Sequence, residues 1–566
     1  MSASPEPPEQ WHRVLTLLSA VSLFIGTRSV WSQAASHRVW LAAVISVCYA
    51  SILVCGALSL VVVRRRSLAR VDLTVLVTAV VLVLGTWVMA HQGGDEAVLT
   101  TQAARELTAG SPVYGQPWPW LFGHGNVAYT PTVYGGYDFT YGYPPLAVLL
   151  TAPLLWLGHG GAPATAMATG ALVAGSVLVW RMLPAPWRPA ATMVCLGFSF
   201  LPMYGRQGYP AILALALLLP VVVRWPRIGA GGRLGRAGIA RAACLGAACA
   251  AQQLPWFVVP FLLAGIYAVR RGELGPRAAA GVLLRIAGVA ATVWLLINTY
   301  FLVLEPKAWL EGIALPLTQG ATLHGQGLIG ISLYLTDGSD RIDWYGHASL
   351  LLAAGLLALF VLFVRRLGPA ATVLPWCAFF LATRSQDGYY LMMTPLWLVS
   401  AVTAPLSEFA GAWQPRPRPL AGPQRRTARL AAAVLVLLPA LASATAAATG
   451  TPPLRMRVAA VRHSSPTGVS LLTLRVTNTG GTALTPHFTL TTGQGMDPYW
   501  RIVSGPGSLP SHATARYELR PWHGRFHIPG PHTRIRLRAF TADPQTLSST
   551  DVGPALRTTT SSAPGN

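Results

Sequence analysis

Two adjacent carboxylates, Asp95 and Glu96, follow directly after a long apolar run that closes at Ala90. A carboxylate at a membrane boundary, partly desolvated and beside a cavity, can act as a general base. The alternative is structural, because an acidic residue near a helix start satisfies free N–H groups, here those of the segment TTQAARELTAG. The local sequence leaves both interpretations open.

A second ionisable cluster lies in the segment TRSQDGYY, where Arg384 stands beside Asp387, Tyr389 and Tyr390. Ionisable residues at membrane depth indicate a functional site by default. The alternative is an Arg384–Asp387 ion pair that closes a tight turn, with the tyrosines in an interfacial aromatic belt.

A third candidate is the glycine-rich segment LPLTQGATLHGQGLIG, which carries His324 and Gln326. Such a segment can close over a sugar, with His324 assisting proton transfer or binding phosphate. The alternative is a solvated loop histidine. The three aspartates that follow lack the compact oxygen-ligand pattern of a calcium loop and are expected to be solvated turn residues. No metal site and no cofactor are predicted.

The amino-acid composition indicates which structural elements position these residues. The chain has 566 residues, of which 52% are hydrophobic and only 11% charged, against about 25% charged in soluble domains. Its net charge of +23 comes from arginines that lie mainly in short loops between apolar runs, which is how membrane proteins fix their orientation. The sequence therefore predicts no nucleic-acid partner. It predicts an all-α polytopic transmembrane bundle of about 11–13 membrane segments, some broken or re-entrant.

The apolar runs fall into two groups by length. The long candidate spans are 39–63, 71–90, 163–182, 280–303, 347–364, 369–383 and 429–449. The shorter or proline-interrupted candidates are 14–31, 145–157, 190–201, 209–223, 242–251, 255–269 and 391–405. Arginine-rich loops favour the cytoplasm, which puts segments 91–144, 305–346 and 384–390 outside. Four runs lie between the outer loop that ends at Pro144 and the inner loop that begins at Arg224, and an even number of crossings cannot connect opposite sides. We therefore expect 190–201 to enter the membrane and return. The stretch 242–269 poses a similar problem, because arginines flank it on both sides.

The C-terminal region has a different periodicity. Beyond about Pro452 short runs alternate with period two, as in Ile535, Leu537 and Ala539 between Arg534, Arg536 and Arg538, which predicts a small extracytoplasmic β-sandwich. The arginine row is expected to be a solvated sheet face, or one that meets an anionic polymer or headgroups. The predicted domains are an extra hairpin at 1–70, a catalytic bundle at 71–450, the sandwich at 452–544 and a disordered tail at 545–566.

Several motifs of the bundle occur in a known order. Asp95 is followed by a stretch with Leu107, Gly110, Pro112 and Tyr114, and then by Tyr143–Pro144–Pro145 with Pro153; weaker matches are Arg206–Gln207–Gly208 and Gln252–Gln253 with Pro255. This arrangement resembles the GT-C glycosyltransferases, most closely the polyprenol-phosphate-mannose-dependent mannosyltransferases of glycosyltransferase family 87. The resemblance covers about residues 71–405. Two extra apolar runs precede it, and Gln252 stands where a lysine is common in that family.

The resemblance implies transfer of a sugar, expected to be mannose, from a polyprenyl-phosphate donor to an extracytoplasmic glycan or glycolipid acceptor. The implied catalytic residues are Asp95 as general base, Glu96 and His324. The implied substrate-binding residues are Tyr143, Arg206, Gln207, Gln252, Lys307, Gln326, Arg384, Asp387 and Tyr390. Membrane lipid is the further expected partner, and the cell membrane is the expected location.

A transporter or lipid flippase is the competing prediction. Transporters place ionisable residues near the bilayer midplane, often within inverted repeats. Here the acids cluster at one face and no repeat is visible, which favours the enzyme. A membrane-anchored binding or scaffold protein ranks last, because it would not need so many helices.

Overall fold

The computed structural model describes residues 7–123, 127–415, 425–530 and 532–557. Within these ranges, eight helices are long and apolar enough to cross a membrane, and two shorter apolar helices accompany them. The eight are Gln10–His37, Val39–Val61, Arg65–Met89, Ala162–Met182, Leu254–Leu274, Pro276–Leu304, Trp344–Leu362 and Thr427–Ala448. The chain is therefore a membrane protein, with a helical bundle followed by a β-rich C-terminal region.

Most of the helices are joined by short turns, whereas long segments follow α4, α13 and α18. Proline opens several helices, at a position where its missing N–H costs no hydrogen bond. Their bounds are α1 Gln10–His37, α2 Val39–Val61, α3 Arg65–Met89, α4 Asp95–Ala109, α5 Leu146–Thr151, α6 Ala162–Met182, α7 Arg188–Leu196, α8 Phe200–Gln207, α9 Pro210–Val222, α10 Gly235–Ala251, α11 Leu254–Leu274, α12 Pro276–Leu304, α13 Pro306–Thr318, α14 Trp344–Leu362, α15 Val364–Leu367, α16 Leu374–Cys377, α17 Asp387–Leu391, α18 Thr394–Thr403, α19 Arg425–Ala448 and α20 Gly553–Arg557.

The strands are concentrated beyond residue 453, with a few two-residue strands in the loops of the bundle. Their bounds are β1 Thr130–Pro131, β2 Tyr137–Asp138, β3 His324–Gly325, β4 Gly338–Ser339, β5 Arg384–Ser385, β6 Leu454–Ser465, β7 Gly468–Asn478, β8 His487–Thr492, β9 Gly495–Met496, β10 Arg501–Ser504, β11 Thr514–Arg520, β12 Phe526–His527, β13 Ile535–Thr541 and β14 Thr546–Asp551.

The three segments predicted to lie outside contact one another. Val133 donates its N–H to the carbonyl of Gly320 at 2.8 Å, and Thr132 forms a bridge with Ala321. Farther along, β3 pairs in parallel with β5. Segments 91–144, 305–346 and 384–390 therefore meet at one end of the bundle.

The arginine-rich loops meet one another as well. Arg227 Nε donates to Glu408 Oε1 at 2.9 Å, Arg365 Nε donates to the Ala412 carbonyl at 2.8 Å, and the buried Arg270 donates to the Pro226 carbonyl at 2.9 Å. The bundle thus has two chemically distinct ends, as the loop charges predict. Arg416 and Arg418, which belong to the last arginine-rich loop of the sequence, lie outside the described residues.

The prediction that 190–201 enters and returns is wrong. Helix α7 continues, after a break at Phe198 and Ser199 with positive φ, into α8, whose last carbonyl at Gln207 accepts the N–H of Gly94 at 3.3 Å. The segment that returns to its own side is 145–157, which starts beside Glu96 and ends where Arg105 donates to the Gly158 carbonyl. Six helical residues followed by a 3-10 turn are too short to span a bilayer.

Of two other interrupted stretches, 242–269 forms two helices, as its two separate runs predict, whereas 369–383 differs from its expected form. The stretch 242–269 belongs to a helical hairpin, because α10 and α11 are separate helices joined at Gln252, which explains why arginines flank it on both sides. The candidate span 369–383 is not one helix. It consists of a 3-10 turn, the four-residue α16 and a second 3-10 turn, since Pro369 and Pro375 interrupt helical hydrogen bonding.

The described part of the C-terminal region forms two five-stranded sheets, the second of which includes β4 from the loop before α14. One has the order β10-β11-β7-β12 with β6 paired to the other edge of β7, and the second has the order β4-β14-β13-β8-β9. Side chains of both sheets, such as Leu474, Tyr517 and Leu537, share one buried cluster. The disordered tail predicted at 545–566 is wrong for residues 546–557, which form β14 and α20; residues 558–566 lie outside the described ranges.

The prediction of a solvated arginine row on β13 is also wrong. Only Arg534 is exposed, with 60% of its side chain accessible in an ion pair with Asp551. Arg536 and Arg538 are each 4% exposed, because this face of the sheet packs on the loop around Leu333. A period-two pattern predicts the strand but does not reveal that both of its faces are buried.

Candidate functional site

Asp95 and Glu96 occupy the first turn of α4, after the cap residue Gly94. The backbone N–H groups of both residues interact with the Asp95 carboxylate. Acidic side chains in the first helical turn are stabilised by the free N–H groups and by the helix dipole. The structural interpretation from the sequence is therefore correct in part: Asp95 interacts with the helix start, although Gly94 and not Asp95 is the cap.

The two carboxylates have different surroundings. Burial raises the pKa of Asp95, whereas the first-turn N–H groups and Arg384 lower it in part. Burial, followed by repulsion from Asp95, raises the pKa of Glu96 to about 8. Glu96 therefore holds a proton at neutral pH, whereas the N–H groups and Arg384 favour the charged form of Asp95. Neighbouring carboxyl groups in different environments are suited to separate acid and base roles.

Arg384 supplies positive charge to this pair from β5. Its charge acts on Asp95 and Glu96, yet in the described part of the chain it makes no ion pair within 4.0 Å, and its Nε is buried without a hydrogen-bond partner. The Arg384–Asp387 ion pair considered from the sequence is not formed. A cation held near two acids without a close partner remains available to an anionic ligand.

His324 lies opposite Arg384 in the β3–β5 pair. Burial lowers the pKa of His324, and the positive charges of Arg384 and Arg538 lower it further, against an opposing effect of Asp387. The imidazole is therefore neutral at physiological pH and offers one N–H donor and one acceptor nitrogen.

Tyrosines enclose the acids. The Tyr143 hydroxyl lies beside Glu96, and burial raises its pKa; Tyr389 also faces both carboxylates and Arg384, and burial raises its pKa as well. Tyr114 donates its hydroxyl to the Tyr143 carbonyl at 2.8 Å. We call the group Asp95, Glu96, Tyr143, His324, Arg384 and Tyr389 the polar mouth.

Two glycines permit the close packing behind the mouth. Gly93 and Gly208 both have positive φ, and a Cβ on Gly208 would lie 2.5 Å from the Cβ of Ala97. The segment around Gly208 therefore packs directly on the first turn of α4. The motif Arg206–Gln207–Gly208 of the family resemblance therefore lies beside the acids, and it is the backbone of this motif that contacts the start of α4.

Some predicted binding residues lie around the mouth. The Gln326 side-chain oxygen accepts the N–H of Asp387 at 2.9 Å, and Asp387 in turn accepts the N–H of Gly388 at 2.8 Å at the start of α17. The Tyr390 hydroxyl bonds to the Ser385 hydroxyl. These three residues therefore shape the turn that presents Arg384.

Others point elsewhere. Arg206 lines a groove with Leu23 and Thr86. Gln207 contributes its backbone carbonyl, and Gln252 accepts the N–H of Leu254 at the start of α11. Lys307 is 89% exposed and lies 3.9 Å from Glu311. In the parts of the chain that are described, no bond joins these four side chains to the acids.

Three supporting residues are not among the site residues that the sequence predicts. Gln253, adjacent to the chosen Gln252, donates to the carbonyls of Gly142 and Ile313, both at 2.9 Å. Glu305 accepts the N–H groups of Val113 and Tyr114, both at 3.1 Å. Tyr389 lies in the ionisable cluster that the sequence predicts. The sequence signal for Gln253 is a glutamine pair within an apolar run, and that for Glu305 is an acid at a helix end.

Comparison of the chain with protein-family models, with curated proteins and with solved structures found no match in any of the three.

Proposed function

We propose that the chain is an integral-membrane glycosyltransferase of GT-C type that uses a polyprenyl-phosphate sugar. The observation that carries the proposal is the buried pair Asp95 and Glu96, which feels the charge of Arg384 although neither acid forms a close ion pair with it. Sugar transfer from a phosphate ester needs one base for the acceptor and one cation for the leaving group. The polar mouth contains one of each.

In the proposed reaction Asp95 accepts the proton of the acceptor hydroxyl. The acceptor oxygen then bonds to the anomeric carbon, while the bond from that carbon to the phosphate oxygen breaks. The electron pair of that bond leaves with the polyprenyl phosphate, and Arg384 offsets the added negative charge. Neutral His324 donates an N–H to a phosphate oxygen, and protonated Glu96 keeps a second negative charge away from the donor.

The substrates follow from the resemblance and from the setting. A donor with a long apolar tail is delivered by the membrane that the eight helices cross, and mannose is the sugar that the resemblance implies. The acceptor is a glycan or glycolipid on the extracytoplasmic side. In this proposal the polar mouth faces that side, the protein resides in the cell membrane, and the two C-terminal sheets form a sandwich above the mouth.

The test is sugar transfer in membranes supplied with radiolabelled polyprenyl-phosphate mannose. We expect wild type to place label in a glycan or glycolipid and Asp95→Asn to lose this activity at equal expression. Glu106→Gln is the matched control, because Glu106 lies on the same helix and its side chain accepts a hydrogen bond from Gln102 at 2.7 Å.

The outcomes separate the possible functions. Transfer by Asp95→Asn at the wild-type rate would keep the enzyme and remove the assigned base. No transfer by any of the three proteins, across several donor sugars and acceptors, would contradict the enzyme and favour transport.

A further inference from the structure

The loop that carries His324 is attached to the C-terminal β region by main-chain pairing. Its strand β4 forms an edge of the second sheet, with Ser339 opposite Leu547 and Gly338 opposite Ser548. Ser549 donates its N–H to the Asp337 carbonyl at 2.7 Å. At the other end of the same loop, β3 pairs with β5 in the polar mouth. One loop thus joins the β region to the candidate site.

Two buried arginines of β13 hold the middle of this loop. Arg536 donates to the Leu333 carbonyl at 3.1 Å, to the Thr336 carbonyl at 2.8 Å and to Asp337 at 2.7 Å. Arg538 donates to the Leu333 carbonyl at 2.7 Å. These carbonyls lie in and just after the helical turn Ile331–Leu335, where they lack helical N–H partners and favour a cation. Burying two guanidinium groups is costly unless they are hydrogen-bonded, and these bond to one loop.

Apolar contacts reinforce the attachment. Phe540 and Leu547 of the second sheet join Leu323, Leu333 and Tyr345 of the bundle in one buried cluster. The Tyr499 hydroxyl also donates to the Thr132 carbonyl at 2.8 Å. The β region is therefore docked on two of the three segments that surround the mouth.

Arg538 also acts on the mouth through its charge. Together with Arg384 it disfavours the protonated form of His324, after the larger effect of burial, while Asp387 opposes them. The Arg538 guanidinium faces the ring of Tyr334 at 5.5 Å, and its Nε is buried without a hydrogen-bond partner. Among the described residues it makes no ion pair that would cancel its charge within 4.0 Å.

We propose that the C-terminal β region is an integral part of the active site: Arg536 and Arg538 hold loop 319–346, and Arg538 is a positioning residue for His324. This inference rests on the proposed function for its catalytic consequence, but the loop attachment can be measured without it. The β region is then not an appended binding module, because its buried strand β13 supports the site through the loop that carries His324.

The test compares Arg538→Gln with Arg534→Gln in the full-length protein. Arg534 lies four residues earlier, directly before β13, and its exposed side chain pairs with Asp551, so it is the matched control. Amide hydrogen exchange is read at His324, Gln326 and Leu328, whose N–H groups bond to Thr383, Ser385 and Phe380. We expect exchange there to quicken by about tenfold or more in Arg538→Gln, from loss of a charged hydrogen bond, and to stay unchanged in Arg534→Gln.

Transfer kinetics give the second readout. We expect kcat to fall by about tenfold or more in Arg538→Gln through misplacement of His324, with a smaller change in KM. The pH at which His324 takes up a proton, followed by its imidazole resonances, should move to higher pH, because removing the Arg538 charge makes His324 easier to protonate. A purely structural role would leave that pH in place. Arg538→Lys keeps the charge and should retain the wild-type value.

The two proposals fail separately. Equal exchange in Arg538→Gln and Arg534→Gln overturns the attachment, whatever the activity. Quickened exchange with no transfer by wild type overturns the proposed function alone. If Arg538→Gln does not fold, Arg538→Lys decides: we expect faster loop exchange than in wild type, because an ammonium lacks the guanidinium geometry, and wild-type exchange would overturn the inference.

Discussion

Two regions of the molecule bury acidic side chains, and they treat them differently. In the N-terminal helices, both oxygens of the buried Asp72 are bonded, one to His12 Nε2 at 2.8 Å and the other to Thr16 Oγ1 at 2.6 Å. At the polar mouth, Glu96 Oε2 is buried without a hydrogen-bond partner, and Asp95 shares one distant arginine with it. A carboxyl group whose oxygens are both bonded to neighbouring side chains holds helices together, whereas a carboxyl pair with an unpartnered oxygen at the mouth is available to a substrate.

The largest expected effect on stability comes from breaking the satisfied cluster. Asp72→Ala leaves His12 and Thr16 buried without their acceptor, and removing one partner of a buried pair costs about 3–5 kcal/mol. We expect this loss in denaturant unfolding of the detergent-solubilised protein, with sugar transfer per folded molecule unchanged. The double change His12→Leu with Asp72→Leu should recover most of it. A loss below about 1 kcal/mol, the size of an exposed pair, would contradict the claim that Asp72 holds the N-terminal helices together.

The next effect is the pH dependence of stability that Glu96 of the polar mouth causes. Because the pKa of Glu96 is raised from its usual 4.5 to about 8, the folded state holds a proton that the unfolded chain releases. Glu96 therefore does not reduce the free energy of unfolding of the wild type below pH 4.5, and the wild type loses stability as pH rises from 4.5 through 8. Glu96→Gln removes this dependence, so its stability relative to wild type should increase across that range.

Thermal unfolding of the two proteins between pH 4.5 and 8 checks this expectation. Glu106→Gln is the control, since Glu106 makes its hydrogen bond with Gln102 outside the mouth. A difference between wild type and Glu96→Gln that does not change with pH would mean that Glu96 is ionised in the folded state.

Two adjacent glutamines allow a smaller test. Gln253→Ala leaves the carbonyls of Gly142 and Ile313 without their donor, which costs about 1–3 kcal/mol, and it should slow transfer because Gly142 adjoins Tyr143. Gln252→Ala loses only a local bond to Leu254 and should do less in both assays. The reverse order would restore the role that the sequence suggests for Gln252.

The smallest effect is expected at Lys307, the only lysine of the chain. Exposed pairs such as Lys307–Glu311 contribute little, and no described bond joins this side chain to the mouth. Lys307→Gln should therefore leave the KM for the lipid donor within about twofold of wild type. A large rise in KM would show that the phosphate site extends beyond the mouth.

The sequence predicts the general organisation of the fold because hydropathy and loop arginines report directly on the bilayer. It does so less well where proline divides a run, as in 145–157 and 369–383, since apolar composition is the same in a spanning helix and in a short returning one. The strand pattern of β13 was recognised, but the burial of Arg536 and Arg538 depends on a loop about two hundred residues earlier.

The site could be predicted in its parts but not in its assembly. Asp95, Glu96, His324 and Arg384 were each singled out by residue type and local setting. Their juxtaposition depends on how the segments around α4, β3 and β5 meet, which no local pattern encodes. The same limitation explains why Gln252 was chosen over Gln253, because only tertiary contacts distinguish two neighbouring glutamines.

The most direct measurement is a paired comparison of Asp95→Asn and Asp72→Asn, each assayed for sugar transfer and for thermal unfolding. The account predicts that Asp95→Asn loses transfer by about 10²–10⁴-fold, the usual size of a general-base contribution, while its unfolding temperature stays at or above that of wild type. It predicts that Asp72→Asn unfolds at a lower temperature and transfers normally per folded molecule. Retained transfer in Asp95→Asn, or unfolding of Asp95→Asn as early as Asp72→Asn, would contradict it.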